Sequence, residues 1–262
     1  MLNPAGMEND MNETHLSPEE VARYARHIVL KEIGGSGQQQ LKAARVLVLG
    51  AGGLGSPVLN YLAAAGVGLL GVVDDDKVSL SNLQRQILHD SANIGMAKTE
   101  SAAQAIARLN PHTRVVTHTL RLTADNAVDI LTAYDMVVDG SDNFEVRYLL
   151  ADTCEALNIP LVTAAVGRFD GSVTVLAPYQ QDDKGRPCPR FRDLFPEPPP
   201  PGLVPSCSEA GVVGALTGVI GTLEAMEVIK LITGAGEPLI GRLLLYDGLA
   251  ASFQTIRYSR KQ

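Results

Sequence analysis

Val46-Leu47-Val48-Leu49-Gly50-Ala51-Gly52-Gly53-Leu54-Gly55 is the stretch that decides the fold. Four apolar residues in a β-rich run meet a glycine-rich turn, and a helical pattern follows from Leu54 to Ala65. Glycines permit the tight turn between strand and helix and let backbone N–H groups approach a phosphate. Asp74 follows roughly 20 residues later at the end of the next apolar run, where a carboxylate accepts hydrogen bonds from ribose hydroxyls. The loop carrying Gly50, Gly52, Gly53 and Gly55 therefore reads as a nucleotide-binding turn. By itself it fits an NAD-dependent oxidoreductase, because the pattern reports a turn and not a reaction.

Outward from this stretch, short β-rich runs alternate with longer helical ones, the pattern of a parallel sheet with crossover helices. Strands are expected at Val46 to Leu49, Leu69 to Val73, Val115 to His118, Met136 to Asp139 and Leu161 to Thr163. Helices are expected near Leu54 to Ala65, Lys98 to Leu109, Asn126 to Ala133 and Asn143 to Leu157. The result is a Rossmann-like, doubly wound, mostly parallel α/β sheet. Gly171 to Leu176 reads as a further strand, with Leu243 to Asp247 and Phe253 to Tyr258 as C-terminal antiparallel strands. Upstream, Ser17-Pro18-Glu19-Glu20 combines an N-cap serine, a proline at the first helical position and a glutamate three residues after the cap. An N-terminal helical extension should start there and run to about Glu32, where Gly34-Gly35-Ser36-Gly37 ends it. The expected organisation is a disordered tail over 1–16 and a single domain over 17–262. A long loop at about 178–206 contains the proline-rich run from Pro196 to Pro201.

The totals narrow the function. A chain of 262 residues with 45% hydrophobic content buries one large core. A net charge of -7 provides no basic field for nucleic acid or an anionic membrane. Cys154, Cys188 and Cys207 form an odd set without regular spacing, which fits a reducing cytoplasm and not a disulfide framework. The N-terminus lacks the basic start and apolar centre of a secretory signal. The longest apolar run, Ala210 to Leu223, is shorter than the roughly 20 residues a membrane span needs, and reads as a buried helix.

The chemistry-bearing residues lie after the second strand. Asp74-Asp75-Asp76 is followed by Val78-Ser79-Leu80-Ser81-Asn82-Leu83-Gln84-Arg85-Gln86, then by Gly95-Met96-Ala97-Lys98 at the start of a helix. A cation in the first turn of a helix opposes the macrodipole by roughly a few tenths of a kcal/mol, so Lys98 reads as placed to meet an anion. The alternative is a solvated lysine and a salt-bridged Arg85. Asp142, in Asp139-Gly140-Ser141-Asp142-Asn143, follows another parallel strand at the sheet edge where ligands collect. A carboxylate beside a triphosphate needs a cation between them, so Asp142 reads as a Mg²⁺ ligand. Capping of the next helix by Asp142 or Ser141 is the other reading, and the two roles are compatible.

GAGGLG, DDDKVSLSNLQRQ, GMAK and GSDN, in this order and at these separations, resemble the bacterial molybdopterin-synthase and thiazole-biosynthesis adenylyltransferases, relatives of the ubiquitin-activating enzymes. The resemblance runs from Ser17 to Tyr258, and SNLQRQ with GMAK is its most specific part. It implies ATP- and Mg²⁺-dependent adenylylation of the C-terminal carboxylate of a small ubiquitin-like carrier protein, with release of pyrophosphate. The carrier would be the molybdopterin synthase small subunit or the thiazole-pathway carrier. Residue by residue, it implies that Gly53 and its neighbours contact the nucleotide and that Asp74 holds the ribose, with Asp76 and Asn143 beside the nucleotide. Asn82, Arg85, Gln86 and Lys98 would surround the phosphates. It also implies a homodimer in which Arg26 reaches the partner's phosphates. Without the resemblance, Arg23 and Arg26 are two cations one helical turn apart. An ionised carboxylate needs no general base to attack phosphorus, so the site must supply alignment and charge neutralisation, not a triad.

The chain departs from the family in one respect. Many members bind zinc through two C-x-x-C pairs, but here Cys188 is followed by Phe191 at the second ligand position, and no cysteine follows Cys207. No structural zinc is expected, since such sites take four ligands. Cys207, before a helix whose dipole lowers thiol pKa, matches a cysteine that links covalently to the carrier in some members; an inert small residue is the alternative. Cys154 reads as core packing. His89, His112 and His118 have no recognisable catalytic context. A non-catalytic nucleotide-binding scaffold is the remaining rival, and with no sulfurtransferase domain after Gln262, sulfur would come from another protein.

Overall fold

The computed structural model describes residues 15–198 and 211–261. The elements in chain order begin with α1 (Pro18–Arg23), α2 (Ala25–Ile28), α3 (Gly34–Ala43), β1 (Arg45–Leu49), α4 (Gly55–Ala65) and β2 (Leu69–Val73). There follow α5 (Lys98–Leu109), β3 (Arg114–His118), α6 (Ala127–Leu131), β4 (Met136–Asp139), α7 (Phe144–Leu157), β5 (Leu161–Gly167) and β6 (Asp170–Leu176). The chain closes with α8 (Phe191–Leu194), α9 (Gly214–Thr233), β7 (Arg242–Asp247) and β8 (Ser252–Arg257). Short 3₁₀ turns at Leu80–Asn82 and Ser91–Asn93 interrupt the connection from β2 to α5.

All eight strands form one sheet in the order β3-β2-β1-β4-β5-β6-β7-β8. The pairings from β3 through β5 are parallel, and those from β5 through β8 are antiparallel. Val46 and Val48 of β1 pack on one face with Leu59 and Leu62 of α4 and Ile220 and Val228 of α9. Leu47 and Leu49 pack on the other with Leu131 of α6 and Leu150 of α7. Burial on both faces is why the central strands read as unbroken apolar runs. Chain order reverses direction between β1 and β4, the switch point at whose carboxyl edge open α/β sheets bind ligands.

Three local expectations are corrected. The N-terminal helix does not run to Glu32: α1 stops at Arg23, because Tyr24 turns its ring inward, where its hydroxyl accepts from Asn110 Nδ2 at 2.8 Å. The Ser17–Glu20 capping box is present. Gly34 to Gly37 do not end a helix but begin α3. Packing overrides glycine's poor propensity there, since Gln38 and Leu41 are both fully buried and Gln38 Nε2 donates to Ala65 O at 2.8 Å. The buried apolar helix is set further along the chain than the run from Ala210 to Leu223, from Gly214 to Thr233. Its two glutamates do not terminate it, because both are buried; Glu227 accepts from Leu239 N at 2.8 Å and pairs with Lys230.

Of the expected tail over 1–16, only His15 and Leu16 lie within the described residues. Residues 199–210 of the expected loop also lie outside them. The described part of that loop holds an Asp182–Arg186 ion pair at 2.6 Å and α8. Among the described residues, no helix is long and apolar enough to cross a membrane.

Glu224 is fully buried on α9, and neither of its carboxyl oxygens has a hydrogen-bond partner among the described residues. Burial, and secondarily the Asp139 charge, raise its pKa well above the ordinary value of 4.5, while Arg147 acts the other way. Below pH 4.5 the group is protonated in both folded and unfolded chains. As pH rises further, the unfolded chain ionises while the folded chain keeps its proton, and stability falls by about 1.4 kcal/mol per pH unit until the folded pKa is passed. Glu224→Gln, uncharged in both states, is expected to remove this slope and to be more stable than the wild type at pH 7 in urea unfolding. Equal stabilities at pH 5 and pH 7 in both proteins would contradict it.

Candidate active site

A cleft of about 970 Å³ opens at the carboxyl ends of the parallel strands, and Gly52, Gly53, Asp74, Arg85, Lys98 and Asp142 all line it. Its floor is the turn from β1 into α4. Gly50 has φ 86°, and a Cβ there would lie 2.8 Å from Gly140 O; a Cβ on Gly55 would lie 1.8 Å from Gly50 O. Only glycine tolerates these approaches. Gly55 is consequently buried beneath the turn, while Gly50, Gly52 and Gly53 face the cleft.

Asp74 ties the turn to the tip of β2. Its Oδ2 accepts from Ala51 N at 2.8 Å and its Oδ1 from Asp76 N at 2.9 Å. Each oxygen keeps a lone pair for a further donor. Lys98 supplies the counter-charge, with Nζ 2.7 Å from Asp76 Oδ2 and 3.8 Å from Asp74 Oδ2. The anions that Lys98 meets within the chain are thus these aspartates. The lysine is only 5% exposed, which excludes the solvated alternative. Carboxylate oxygens of Asp74, Asp75 and Asp76 lie within 4.8 Å of one another, so the rim is acidic. Arg85 enters the cleft half-buried, with Nη1 donating to Ser81 O at 3.2 Å. Gln86 lines the cleft beside Gly52 although it is largely buried, and its Oε1 has no partner among the described residues. Asn82 is not part of the cleft lining: its Oδ1 accepts from Ser79 N at 3.2 Å and closes a 3₁₀ turn.

The turn after β4 is held by a network that residue patterns did not reveal. Asp139 is fully buried, and its Oδ2 accepts from Arg147 Nε at 3.0 Å and from Thr163 Oγ1 at 2.8 Å. Its Oδ1 accepts from Ser141 N at 3.0 Å, and Arg147 Nη2 donates to Ser141 O at 2.9 Å. Neither Ser141 nor Asp142 caps the following helix. That role falls to Asn143, whose Oδ1 accepts from Glu145 N at 2.8 Å, so only its amide group remains for a ligand. Asp142 is left exposed at the cleft edge, with no intrachain partner among the described residues. A free carboxylate in that position fits a divalent cation. The sequence signal for the network was Asp139 itself, a charge at the inner end of an apolar strand, which requires a buried partner.

Arg26 is exposed on α2 and does not line the cleft of its own chain. Cys207 lies outside the described residues. Cys154 is buried on α7, and burial, with a contribution from Asp139, pushes its thiol up to about 12, so it is an inert core thiol. Phe144, Arg121, Asp170 and Thr217 also line the cleft and were not anticipated; they come together only through the fold.

The sequence matches the ThiF family over residues 24–262. It is 51% identical over 241 residues to the probable adenylyltransferase/sulfurtransferase MoeZ of Mycobacterium tuberculosis, covering 92% of this chain and 61% of that protein. It is 50% identical over 242 residues to the sulfur carrier protein adenylyltransferase of Thermus thermophilus, covering 92% of this chain and 89% of that protein. The chain therefore spans less than two thirds of the first relative's length. Among solved structures, the E. coli protein MccB, crystallised with MccA-N7isoASN, superposes with a TM-score of 0.78 at 20% identity over 99% of this chain and 81% of that one, a likeness of fold.

Removing Arg147 leaves the buried Asp139 charge without its cationic partner. Arg147→Met is expected to cost about 3–5 kcal/mol in denaturant unfolding, with part of the loss recovered by adding Asp139→Asn. A cost under about 1 kcal/mol, within the range of exposed pairs, would exclude the network as the anchor of this turn.

Proposed function

Because the chain belongs to the ThiF family, we propose that it uses ATP to adenylylate the C-terminal carboxylate of a small ubiquitin-like sulfur-carrier protein and releases pyrophosphate. The observation that carries this reading is the company Asp142 keeps: a carboxylate without an intrachain partner shares one cleft with the glycine turn and the cations Arg85 and Lys98. The name of the Thermus relative, a sulfur carrier protein adenylyltransferase, supports the same reaction class.

In the proposed reaction a carrier carboxylate oxygen bonds to the α-phosphorus of ATP. The bond from that phosphorus to the β-bridging oxygen breaks, and its electron pair leaves with pyrophosphate. The carboxylate is ionised at neutral pH and needs no base. The backbone N–H groups of Gly52 and Gly53 receive the phosphates, Asp74 takes the ribose hydroxyls on its remaining lone pairs, and Arg85 and Lys98 neutralise the growing charge. Asp142 would hold Mg²⁺. When bound, that ion adds positive charge beside the phosphates. The cleft continues past Ala165, Gly167 and Gly171, small residues that suit a slender peptide tail.

The same reading makes the protein a cytoplasmic homodimer with Arg26 acting on the partner's site. Two observations support self-association: Arg26 lies outside its own cleft, and Pro57, Tyr61, Ile87, Val219 and Leu223 form an exposed apolar groove of about 490 Å³ across α4 and α9. We further propose that an aromatic cluster stands in for a zinc clamp. Phe191 meets Tyr148 edge-on at 4.9 Å between centroids and Phe195 at 5.2 Å, three residues along the chain from the buried Cys188.

The deciding assay is carrier-dependent exchange of labelled pyrophosphate into ATP. Lys98→Ala, Arg85→Ala and Asp142→Ala are each expected to lower the exchange rate roughly a hundredfold with the fold intact. Mixing Arg26→Ala with Lys98→Ala chains should recover about a quarter of wild-type activity, from one competent site in each mixed dimer. Absence of exchange by the wild type with any ubiquitin-like sulfur carrier would sink the reaction, and failure to recover activity on mixing would sink the shared site.

A further inference from the structure

His89 is 7% exposed and sits on the inner side of the glycine turn, outside the cleft lining. Its Nε2 lies 2.8 Å from Ala51 O and its Nδ1 lies 2.8 Å from Ser101 Oγ. A carbonyl can only accept, so Nε2 carries the ring proton and Nδ1 presents a lone pair. Ser101 Oγ accepts from Asn93 Nδ2 at 2.8 Å, which leaves the serine hydroxyl proton for Nδ1. Asn93, Ser101, His89 and Ala51 thus form one chain of hydrogen bonds polarised toward the turn.

The geometry of the peptide unit gives this chain a consequence. In a planar trans peptide, the C=O of one residue and the N–H of the next point in opposite directions. Ala51 O is held inward by His89, so Gly52 N–H faces the other way, and Gly52 lines the cleft. That N–H has no acceptor among the described residues. On the preceding peptide, Ala51 N donates to Asp74 at 2.8 Å, so the turn is fixed on both sides of Ala51. We propose that His89 is a positioning residue which, through Ala51, holds the Gly52 amide proton turned toward the nucleotide phosphates. The proposal rests on the nucleotide reading of the cleft.

The bond pattern requires neutral imidazole. Burial, and after it the Lys98 charge, hold His89 below the usual imidazole range, while its bond to Ala51 and the Asp74 and Asp90 carboxylates act the other way. Its contribution is therefore present at and above neutral pH. It is lost as pH falls through the depressed folded value, when Nδ1 becomes a donor and the Ser101 hydroxyl must turn away.

Three substitutions separate positioning from packing. His89→Phe keeps a ring but removes both bonds. His89→Gln keeps an amide that reaches Ala51 O, and His89→Asn is too short to reach it. With melting temperatures measured throughout, ATP affinity by calorimetry at pH 7.5 is expected to fall roughly tenfold in the Phe and Asn variants and to stay near the wild-type value in the Gln variant. The wild type should lose ATP affinity on acidification more steeply than His89→Gln, with the titration of ATP itself common to both. Exchange of the Ala51 amide proton, followed by NMR without nucleotide, should quicken in the Phe and Asn variants alone. Equal affinity and equal Ala51 exchange across Gln, Asn and Phe would overturn the role of His89. A wild type that binds no ATP would instead overturn the proposed function, and the Ala51 exchange would still decide whether His89 holds the turn.

Discussion

The contact between the carbonyl of Gly50 and the backbone of Gly55 is the constraint from which the site follows. A Cβ on Gly55 would stand 1.8 Å from that oxygen, so the end of β1 and the first turn of α4 are pressed together as bare backbone. This approach starts a helix directly above the strand tip and leaves Gly52 and Gly53 on the surface of the cleft, where N–H groups are available. The neighbouring turn at Gly140 is packed against the same point, with its oxygen 2.8 Å from where a Gly50 Cβ would be. Two loops from adjacent parallel strands therefore share one corner, and direct backbone contact sets the distance between Asp142's turn and the glycine turn.

Around that corner, the polar groups behind the site act mainly as fasteners. Asp74 secures Ala51 from the β2 side, and Asp139 with Arg147 secures Ser141 from the β4 side. Asp139 is held by the guanidinium of Arg147 and the hydroxyl of Thr163 as well as by Ser141, which is how a buried charge is tolerated. The cleft edge contrasts with this. Asp142 has no intrachain donor among the described residues, so one wall is fastened from behind while the charge in front is exposed.

The strand and helix pattern of the nucleotide half was legible because its signals are local. β2, β4 and α5 begin and end where apolar runs and breakers put them, since buried parallel strands and amphipathic helices write their period into the chain. What escaped was set by partners far away. Tyr24 breaks the first helix to reach Asn110, 86 residues on, and the glycines of α3 are overruled by burial of Gln38 under Ala65. β5 runs on to Gly167 because its pairing with β6 completes a hairpin that Ala164 and Ala165 do not announce. In the site, the Gly-rich turn, Asp74 and Lys98 could be read from motif and spacing. His89 and Arg147 could not, because their roles depend on Ala51 and Asp139 and not on any neighbour in sequence.

In the proposed reaction, Lys98 would be held ready for an anion. The ammonium is buried and already paired with Asp76, whose own side chain is 69% exposed. Most of the cost of desolvating the lysine is thus met during folding, with the partner carboxylate able to turn back into water at little expense. An incoming phosphate oxygen would exchange one anion for another beside a cation that need not move or shed solvent. For the proposed reaction that would be electrostatic preorganisation, since reorganisation at the moment of reaction sets much of the barrier in phosphoryl chemistry. It also explains an acidic rim at a site proposed for a polyanion. Asp76 keeps the lysine in place while the cleft is empty, and Asp74 keeps the turn in place throughout.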